Sequence, residues 1–264
     1  MTSGRAQDVK ACCSAAYGGA AARYLLGESF HPGGTDLTLT LVRELALGPG
    51  DLLVDVASGR GTSALLAARE TGCDVIGVDL APENVAEATA AAATAGLRGE
   101  VRFVVGDAER LPLDDGRADA ALCECSLCLF PDAAAAVAEI ARALRPGGLL
   151  ALSDVVIAPG GIGPEMRDVA GWVACLANAR PIEDVVGMLQ EAGLDPRRVE
   201  RHDRAIGETV DRVEARLRLA RALGAAVPAE VRDGARRGLE LVAAARRALA
   251  DGTLGYGVVV ARRR

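Results

Sequence analysis

The stretch that decides the fold is DLLVDVASGRG, residues 51–61. Its first half is an apolar run that predicts a buried strand, and its two glycines predict a tight turn after that strand. The residues that follow, ALLAARE at 64–70, are typical of a helix. Strand, glycine loop and helix in this order indicate the first unit of an α/β fold.

The same alternation continues along the chain. Apolar runs predict further strands at 74–79, 101–105, 118–123, 149–157, 198–203 and 256–260. Helical patterns occur at 6–26, from about residue 35, between the strand at 74–79 and residue 95, at 132–146, and at 164–177, 181–192 and 207–250. We therefore predict an α/β fold with a doubly wound, mostly parallel seven-stranded sheet and helices on both faces. An N-terminal helical lid and helical insertions before the last strand complete the expected architecture.

The composition argues against several classes of protein. The formal charge is −6 and acidic residues interleave with the arginines, so we expect no nucleic-acid partner. No run approaches the roughly 18 apolar residues of a membrane span, and the first residues lack the pattern of a secretory signal. We therefore expect no membrane partner and a cytoplasmic location. The seven cysteines, an odd number, then indicate reduced thiols.

The ends of the first three predicted strands carry the residue types of a nucleotide-type site. Ligands bind at this edge of a doubly wound sheet, and Gly59 and Gly61 let the backbone approach a ligand closely. Asp79 ends the second strand about twenty residues later, where a carboxylate can accept hydrogen bonds from ribose hydroxyls. A dinucleotide dehydrogenase shares both features, so the tripeptide GDA at 106–108 is the third element that the assignment needs.

In the order of these elements the sequence resembles the class I S-adenosylmethionine methyltransferases. The glycine loop, the acidic strand end, the GDA loop, the fourth strand and an LRPGG turn all occur between residues 55 and 148. The resemblance implies S-adenosylmethionine as cofactor, with Asp55 and the glycines at its methionine end, Asp79 at its ribose and the GDA loop at its adenine. The implied cofactor-binding residues are Asp55, Ala57, Gly59, Gly61, Asp79, Leu80, Asp107, Ala108 and Cys123. Ala57 is a departure, because the family usually has glycine there.

The resemblance also implies how the chain is divided. We predict a single methyltransferase domain over residues 1–264, a length that suits one α/β core with additions. Residues 1–46 are expected to form an N-terminal helical cover, 47–160 the cofactor-binding core, and 161–264 the acceptor-side helices and closing strands.

Three cysteines follow the fourth predicted strand, at Cys123, Cys125 and Cys128. Thiols at the edge of a ligand site suit a soft, thiophilic acceptor. Zinc is a second interpretation, with Cys12 or Cys13 as a fourth ligand. A third is that these cysteines act as small hydrophobic residues that pack the strand end.

A narrower resemblance, to arsenite methyltransferases, points to trivalent arsenic as the acceptor. That family has a cysteine after the fourth strand, another after the fifth, and a Cys-Cys pair near the N-terminus. The residues at corresponding places in chain order are Cys125 with its neighbour Glu124, Cys175, and Cys12 with Cys13. The resemblance implies Cys125, Cys175 and Cys13 as arsenic ligands.

Two alternatives remain open. One is a C-, O- or S-methyltransferase of a small organic molecule, of the quinone-biosynthesis or natural-product type, with Glu124 or His31 as base. The other is a thiol-metal binding or sensing module without catalysis. The acidic residues at all three strand ends favour an enzyme over a sensor.

Overall fold

The computed structural model describes residues 19–27, 31–161, 178–223 and 227–264. The helices and strands within these ranges are α1 (Ala20–Leu26), α2 (Gly34–Glu44), β1 (Leu52–Val56), α3 (Thr62–Thr71), β2 (Asp74–Asp79), α4 (Pro82–Thr94), β3 (Val101–Val105), β4 (Ala118–Glu124), a 3-10 turn (Leu127–Leu129), α5 (Ala133–Ala143), β5 (Leu144–Ile157), α6 (Ile182–Glu191), β6 (Leu194–Arg201), α7 (Asp203–Leu223), α8 (Ala229–Ala250) and β7 (Leu254–Arg263).

The strands form one seven-stranded sheet in the order β3-β2-β1-β4-β5-β7-β6. Strands β1 to β5 are parallel to their neighbours, whereas β7 runs antiparallel to both β5 and β6. The mostly parallel sheet predicted from the sequence is therefore confirmed. The strand order reverses between β1 and β4, since β2 and β3 lie on one side of this pair and β5 on the other. The carboxyl ends of β1 and β4 therefore flank the point where ligands bind in such sheets.

Apolar cores cover both faces of the sheet. On one face, helices α2, α3 and α8 pack on inward residues such as Leu53 of β1 and Leu122 of β4. On the other face, α5 and α6 pack on strand residues that alternate with these, such as Val54 of β1. Because successive side chains of a strand point to opposite faces, β1 is buried on both sides and its residues are apolar apart from Asp55.

Helix α5 begins as predicted and ends earlier. The side chain of Asp132 accepts a hydrogen bond from the backbone N–H of Ala135 at 2.9 Å, which caps the helix. The helix ends at Ala143 rather than at 146. Pro146 disfavours helical geometry at the residue before it, so Leu144 already pairs with Ala118 as part of β5.

Two other predicted boundaries also differ. The sixth strand spans 194–201 rather than 198–203, because Asp203 begins α7 and accepts a hydrogen bond from the backbone N–H of Tyr256 at 3.0 Å. The helical region predicted at 207–250 is two helices, and Pro228 precedes the second. None of the helices in the described residues is long and apolar enough to cross a membrane.

Helices α1, α7 and α8 pack together around a separate apolar cluster. Leu217 and Ala220 of α7 and Val231 of α8 are buried there, with Tyr24 of α1 packed against them. The Tyr24 hydroxyl also donates to the backbone carbonyl of Arg216 at 3.3 Å. The N-terminal cover and the late helical insertion are thus in direct contact. The division of the chain at 46 and 160 stays a prediction.

Candidate active site

The glycine loop between β1 and α3 combines a packed glycine with an open one. Gly61 has φ +80°, and a Cβ there would lie 2.5 Å from Cζ of Phe103, so only glycine fits. Gly59 has φ +53°, yet a Cβ there would meet nothing within 4 Å. Gly61 therefore serves packing against the sheet, and Gly59 leaves the backbone accessible to a ligand.

Ala57 adopts left-handed backbone geometry, with φ +58°. This conformation costs an L-residue of order 1 kcal/mol and is usually occupied by glycine. The departure noted in the sequence therefore leaves the course of the loop intact, at the cost of local strain.

Asp79 at the end of β2 organises the neighbouring loop. Its Oδ2 accepts from the backbone N–H of Gly59 at 2.8 Å. Its Oδ1 accepts from the N–H of Ala81 at 2.9 Å and from the amide of Asn84 at 3.1 Å. A carboxylate has about four acceptor positions, so Oδ2 can still receive a hydroxyl group.

The GDA loop lies next to this carboxylate. The backbone N–H of Gly106 donates to the Asp79 carbonyl at 2.9 Å, and Asp107 Oδ1 accepts from the N–H of Glu109 at 3.0 Å. Ala108 is buried, whereas Leu80 is 39% exposed. Val105 at the end of β3 is 53% exposed, although apolar strand residues are usually covered. These apolar surfaces suit an aromatic ring, and Val105 was not singled out from the sequence.

Asp55 is buried among other carboxylates. Its relative exposure is 3%, and its Oδ2 has no hydrogen-bond partner in the described part of the chain. Burial raises the pKa of this carboxyl well above its ordinary value, and the charges of Glu124 and Asp79 raise it further. The site therefore favours a cationic ligand.

Glu124 at the end of β4 is the centre of a buried polar network. Thr38 of α2 donates to its Oε1 at 3.2 Å and Oε2 at 3.0 Å, and Ser63 of α3 donates to Oε2 at 2.7 Å. His31 Nε2 lies 3.6 Å from Oε2 and 3.2 Å from the Thr38 hydroxyl. Sequence analysis identified Glu124 and His31 but not Thr38 or Ser63, which are distant in the chain and ordinary helix residues.

The three cysteines at the end of β4 and just after it pack on two faces of the sheet. Cys123 is fully buried in the core beneath α5, its Sγ lies 3.2 Å from the Ser126 hydroxyl, and burial raises its pKa to about 12. Cys125 is half-buried and Cys128 is buried against the opposite core. Among the residues that the structure describes, no group of three His, Cys, Asp or Glu side chains is placed to hold a metal ion. The zinc interpretation, which also draws on Cys12 or Cys13, stays an alternative. Because successive side chains of a strand alternate, Cys123 faces the opposite side of the sheet from its neighbour Glu124. Its role at the cofactor stays a prediction.

Cys125 has unusual backbone geometry at the ligand edge. Its φ is +52°, in the left-handed region, and its N–H donates to the carbonyl of Ser153 at 2.6 Å. The Ser153 hydroxyl accepts from Tyr256, whose pKa is raised well above normal, first by burial and then by the nearby Cys125 and Glu124. Strained residues of this kind cluster at functional sites. Cys12, Cys13 and Cys175 lie outside the described residues.

Asp154 supports the turn that follows Cys125. Its Oδ2 accepts from the backbone N–H of Cys128 at 2.9 Å, and Oδ1 accepts from its neighbour Val155. Burial raises its pKa to about 6. Sequence analysis did not single out this residue, since it lies within an apolar strand.

Comparison with known proteins agrees with this geometry. Residues 54–152 match the family described as a methyltransferase domain. An arsenite methyltransferase of Halobacterium salinarum is 34% identical over 152 residues, which make up 57% of this chain and 39% of that protein. A 27-O-demethylrifamycin SV methyltransferase of Amycolatopsis mediterranei is 33% identical over 171 residues, 63% of this chain and 62% of that protein. The chain thus spans less than two thirds of the length of either relative.

Among solved structures, the 4+2 cyclase SpnF superimposes with a TM-score of 0.80 at 23% identity, covering 98% of this chain and 96% of that one. This likeness shows the fold alone, because one fold hosts different chemistries. The family match and the two curated relatives also identify the kind of domain that has this fold. Residues 54–152 therefore match a methyltransferase domain, and the curated relatives named above are methyltransferases.

Proposed function

We propose that this protein transfers the methyl group of S-adenosylmethionine to a small acceptor bound beside the end of β4. The observation that carries the proposal is the pairing of buried Asp55, with its unpartnered Oδ2, and a glycine loop that is open at Gly59. The carboxylate offers an acceptor for a ligand N–H or O–H, and the open loop admits a ligand close to the backbone. When bound, the cofactor supplies a methyl group activated on a sulfonium.

The charges at this edge support the same ligand. Asp55, Asp79 and Glu124 come together from three neighbouring strand ends, and the charges of the other two raise the pKa of Asp55. The ammonium and sulfonium groups of S-adenosylmethionine would balance that negative charge. Asp79 would accept hydrogen bonds from the ribose hydroxyls, and the exposed apolar surfaces of Leu80 and Val105 would contact the adenine.

Trivalent arsenic, as arsenite, is the acceptor that we propose first. Cys125 supplies a half-buried thiol beside the proposed cofactor site, and one relative bears the name of an arsenite methyltransferase. We propose Cys175 and Cys12 or Cys13 as the other ligands. The arsenic lone pair would form the new As–C bond while the S–C bond breaks and leaves S-adenosylhomocysteine. That step needs alignment but no general base.

A small organic acceptor is the second candidate, favoured by the buried contact of His31 with Glu124 at the same strand end. A hydroxyl or carbon acid must lose a proton as it is methylated, and one of these side chains would receive it. Another relative bears the name of a methyltransferase of 27-O-demethylrifamycin SV.

The deciding experiment is transfer of labelled methyl from S-adenosylmethionine to arsenite or to a panel of thiols, phenols and quinols. Under the arsenic proposal, Cys125→Ser abolishes methylation of arsenite and keeps cofactor affinity, while Glu124→Gln keeps most activity. Under the organic proposal, Glu124→Gln loses activity and Cys125→Ser does not. Cys73→Ser is the matched control, because this buried thiol lies at the start of β2, away from the site. Failure of the parent protein to bind S-adenosylmethionine in calorimetry would refute both.

A further inference from the structure

Three arginines surround the end of α1, above the glycine loop. Arg23 Nη2 pairs with Glu87 Oε1 at 2.9 Å, and Arg60 Nη1 lies 3.8 Å from the other oxygen of that carboxylate. Arg60 Nη2 also lies 3.5 Å from the backbone carbonyl of Gly27. The third arginine, Arg216 of α7, places its guanidinium beside Gly27.

Arg216 differs from the other two in its partners. Its Nη1 is buried and has no hydrogen-bond partner in the described part of the chain. A buried guanidinium nitrogen without a partner is costly, and native proteins rarely leave one so. This nitrogen is therefore able to donate to a ligand.

The position of Gly27 shows how closely the guanidinium is held. A Cβ at Gly27 would lie 3.2 Å from both Nη1 and Nη2 of Arg216, and Gly27 has φ +88°. Only glycine lets the end of α1 close over the guanidinium in this way. Arg60, which stands between Gly59 and Gly61, also reaches Gly27 through the backbone carbonyl, so Arg216 and Arg60 both contact this glycine.

We propose that Arg216 and Arg60 form an oxyanion subsite, which binds a carboxylate or phosphate group of a ligand held at the glycine loop. A planar guanidinium donates two parallel hydrogen bonds to such a group, and a second arginine adds charge. The oxyanion has two sources, the methionine carboxylate of the cofactor and an acidic group of the acceptor. The location of this ligand rests on the proposed function, whereas the unpartnered Nη1 of Arg216 does not.

The test compares Arg216→Gln and Arg216→Lys with Arg221→Gln, which removes an exposed arginine from the same helix. Arg216→Gln should keep or raise the thermal midpoint of the ligand-free protein, because it removes a buried donor that has no partner. A purely structural Arg216 would instead lower it. Arg216→Lys should keep part of the oxyanion binding that Arg216→Gln loses, since lysine keeps the positive charge but lacks the two parallel donors of the guanidinium.

Two titrations separate the sources. If the cofactor supplies the oxyanion, Arg216→Gln weakens S-adenosylmethionine by about tenfold to a hundredfold but leaves decarboxylated S-adenosylmethionine unchanged. If the acceptor supplies it, protein saturated with S-adenosylhomocysteine binds inorganic phosphate, and Arg216→Gln abolishes this. Unchanged binding in both titrations, in a parent that binds S-adenosylmethionine, would overturn the subsite and leave the proposed function standing. A parent that binds neither form of the cofactor would overturn the proposed function itself.

Discussion

The cofactor side of the site, at the ends of β1 to β3, and the acceptor side, at the end of β4, are built differently. Asp79 bonds to Ala81 and Asn84, two and five residues away, and to the adjacent glycine loop. Glu124 instead bonds to side chains 61 and 86 residues away. The cofactor side is therefore formed mainly by residues close together in the sequence. The acceptor side forms only when helices from distant parts of the chain pack against β4.

The largest expected effect concerns the acceptor side, where Asp154 holds the turn after Cys125. Its pKa of about 6 in the folded protein lies above the ordinary value of 3.8. The stability that it contributes is thus full below about pH 4 and is lost as the pH rises through 6. The loss is about 3 kcal/mol, since one pKa unit corresponds to about 1.4 kcal/mol. Urea unfolding of the parent and of Asp154→Asn between pH 4 and 7 measures it.

The readout is the difference between the two proteins, because other carboxyls titrate in both. Asp154→Asn should lack the fall between pH 4 and 6. Parallel curves for the two proteins would contradict the role assigned to burial of Asp154.

The cofactor side could be predicted from the sequence more fully than the acceptor side. The strand ends that hold Asp55, Asp79 and the GDA loop are read from neighbouring residues, and the structure forms them as predicted. Thr38, Ser63 and Arg216 have no local pattern, because only packing of α2, α3 and α7 gives them their partners. Cys123 and Glu124 lie on opposite faces of β4 because side chains alternate along a strand, and the sequence was sufficient to predict this.

On the cofactor side, Asp79→Ala should weaken S-adenosylmethionine binding by about 1 to 3 kcal/mol, because the ribose hydroxyls would lose a charged acceptor. Calorimetric titration measures this. Asp74→Ala, at the other end of β2, is the matched control and should leave the affinity unchanged. Equal affinities for all three proteins would refute the assignment of the second strand end to the ribose.

The long-range character of the acceptor side is tested by Thr38→Val. Buried Glu124 would lose a donor shared by both of its oxygens, so we expect a loss of about 1.5 kcal/mol in the free energy of unfolding. Thr40→Val changes an exposed threonine on the same helix and should have little effect. Similar losses in both variants would show that the Glu124 network contributes nothing beyond helix propensity.

The smallest expected effect tests whether strain at the glycine loop belongs to function. Ala57→Gly removes a left-handed alanine and should stabilise the protein by about 0.5 to 1 kcal/mol, since relief of strain exceeds the added entropy of glycine in the unfolded chain. Ala46 provides a matched control, because it also has positive φ, +51°, but follows α2 outside the site. Thermal unfolding should show a similar gain for Ala46→Gly. If the strain shapes the cofactor loop, only Ala57→Gly changes the affinity for S-adenosylmethionine. If both variants gain stability and neither alters that affinity, the left-handed alanine is a tolerated substitution and the loop owes its shape to Gly59 and Gly61.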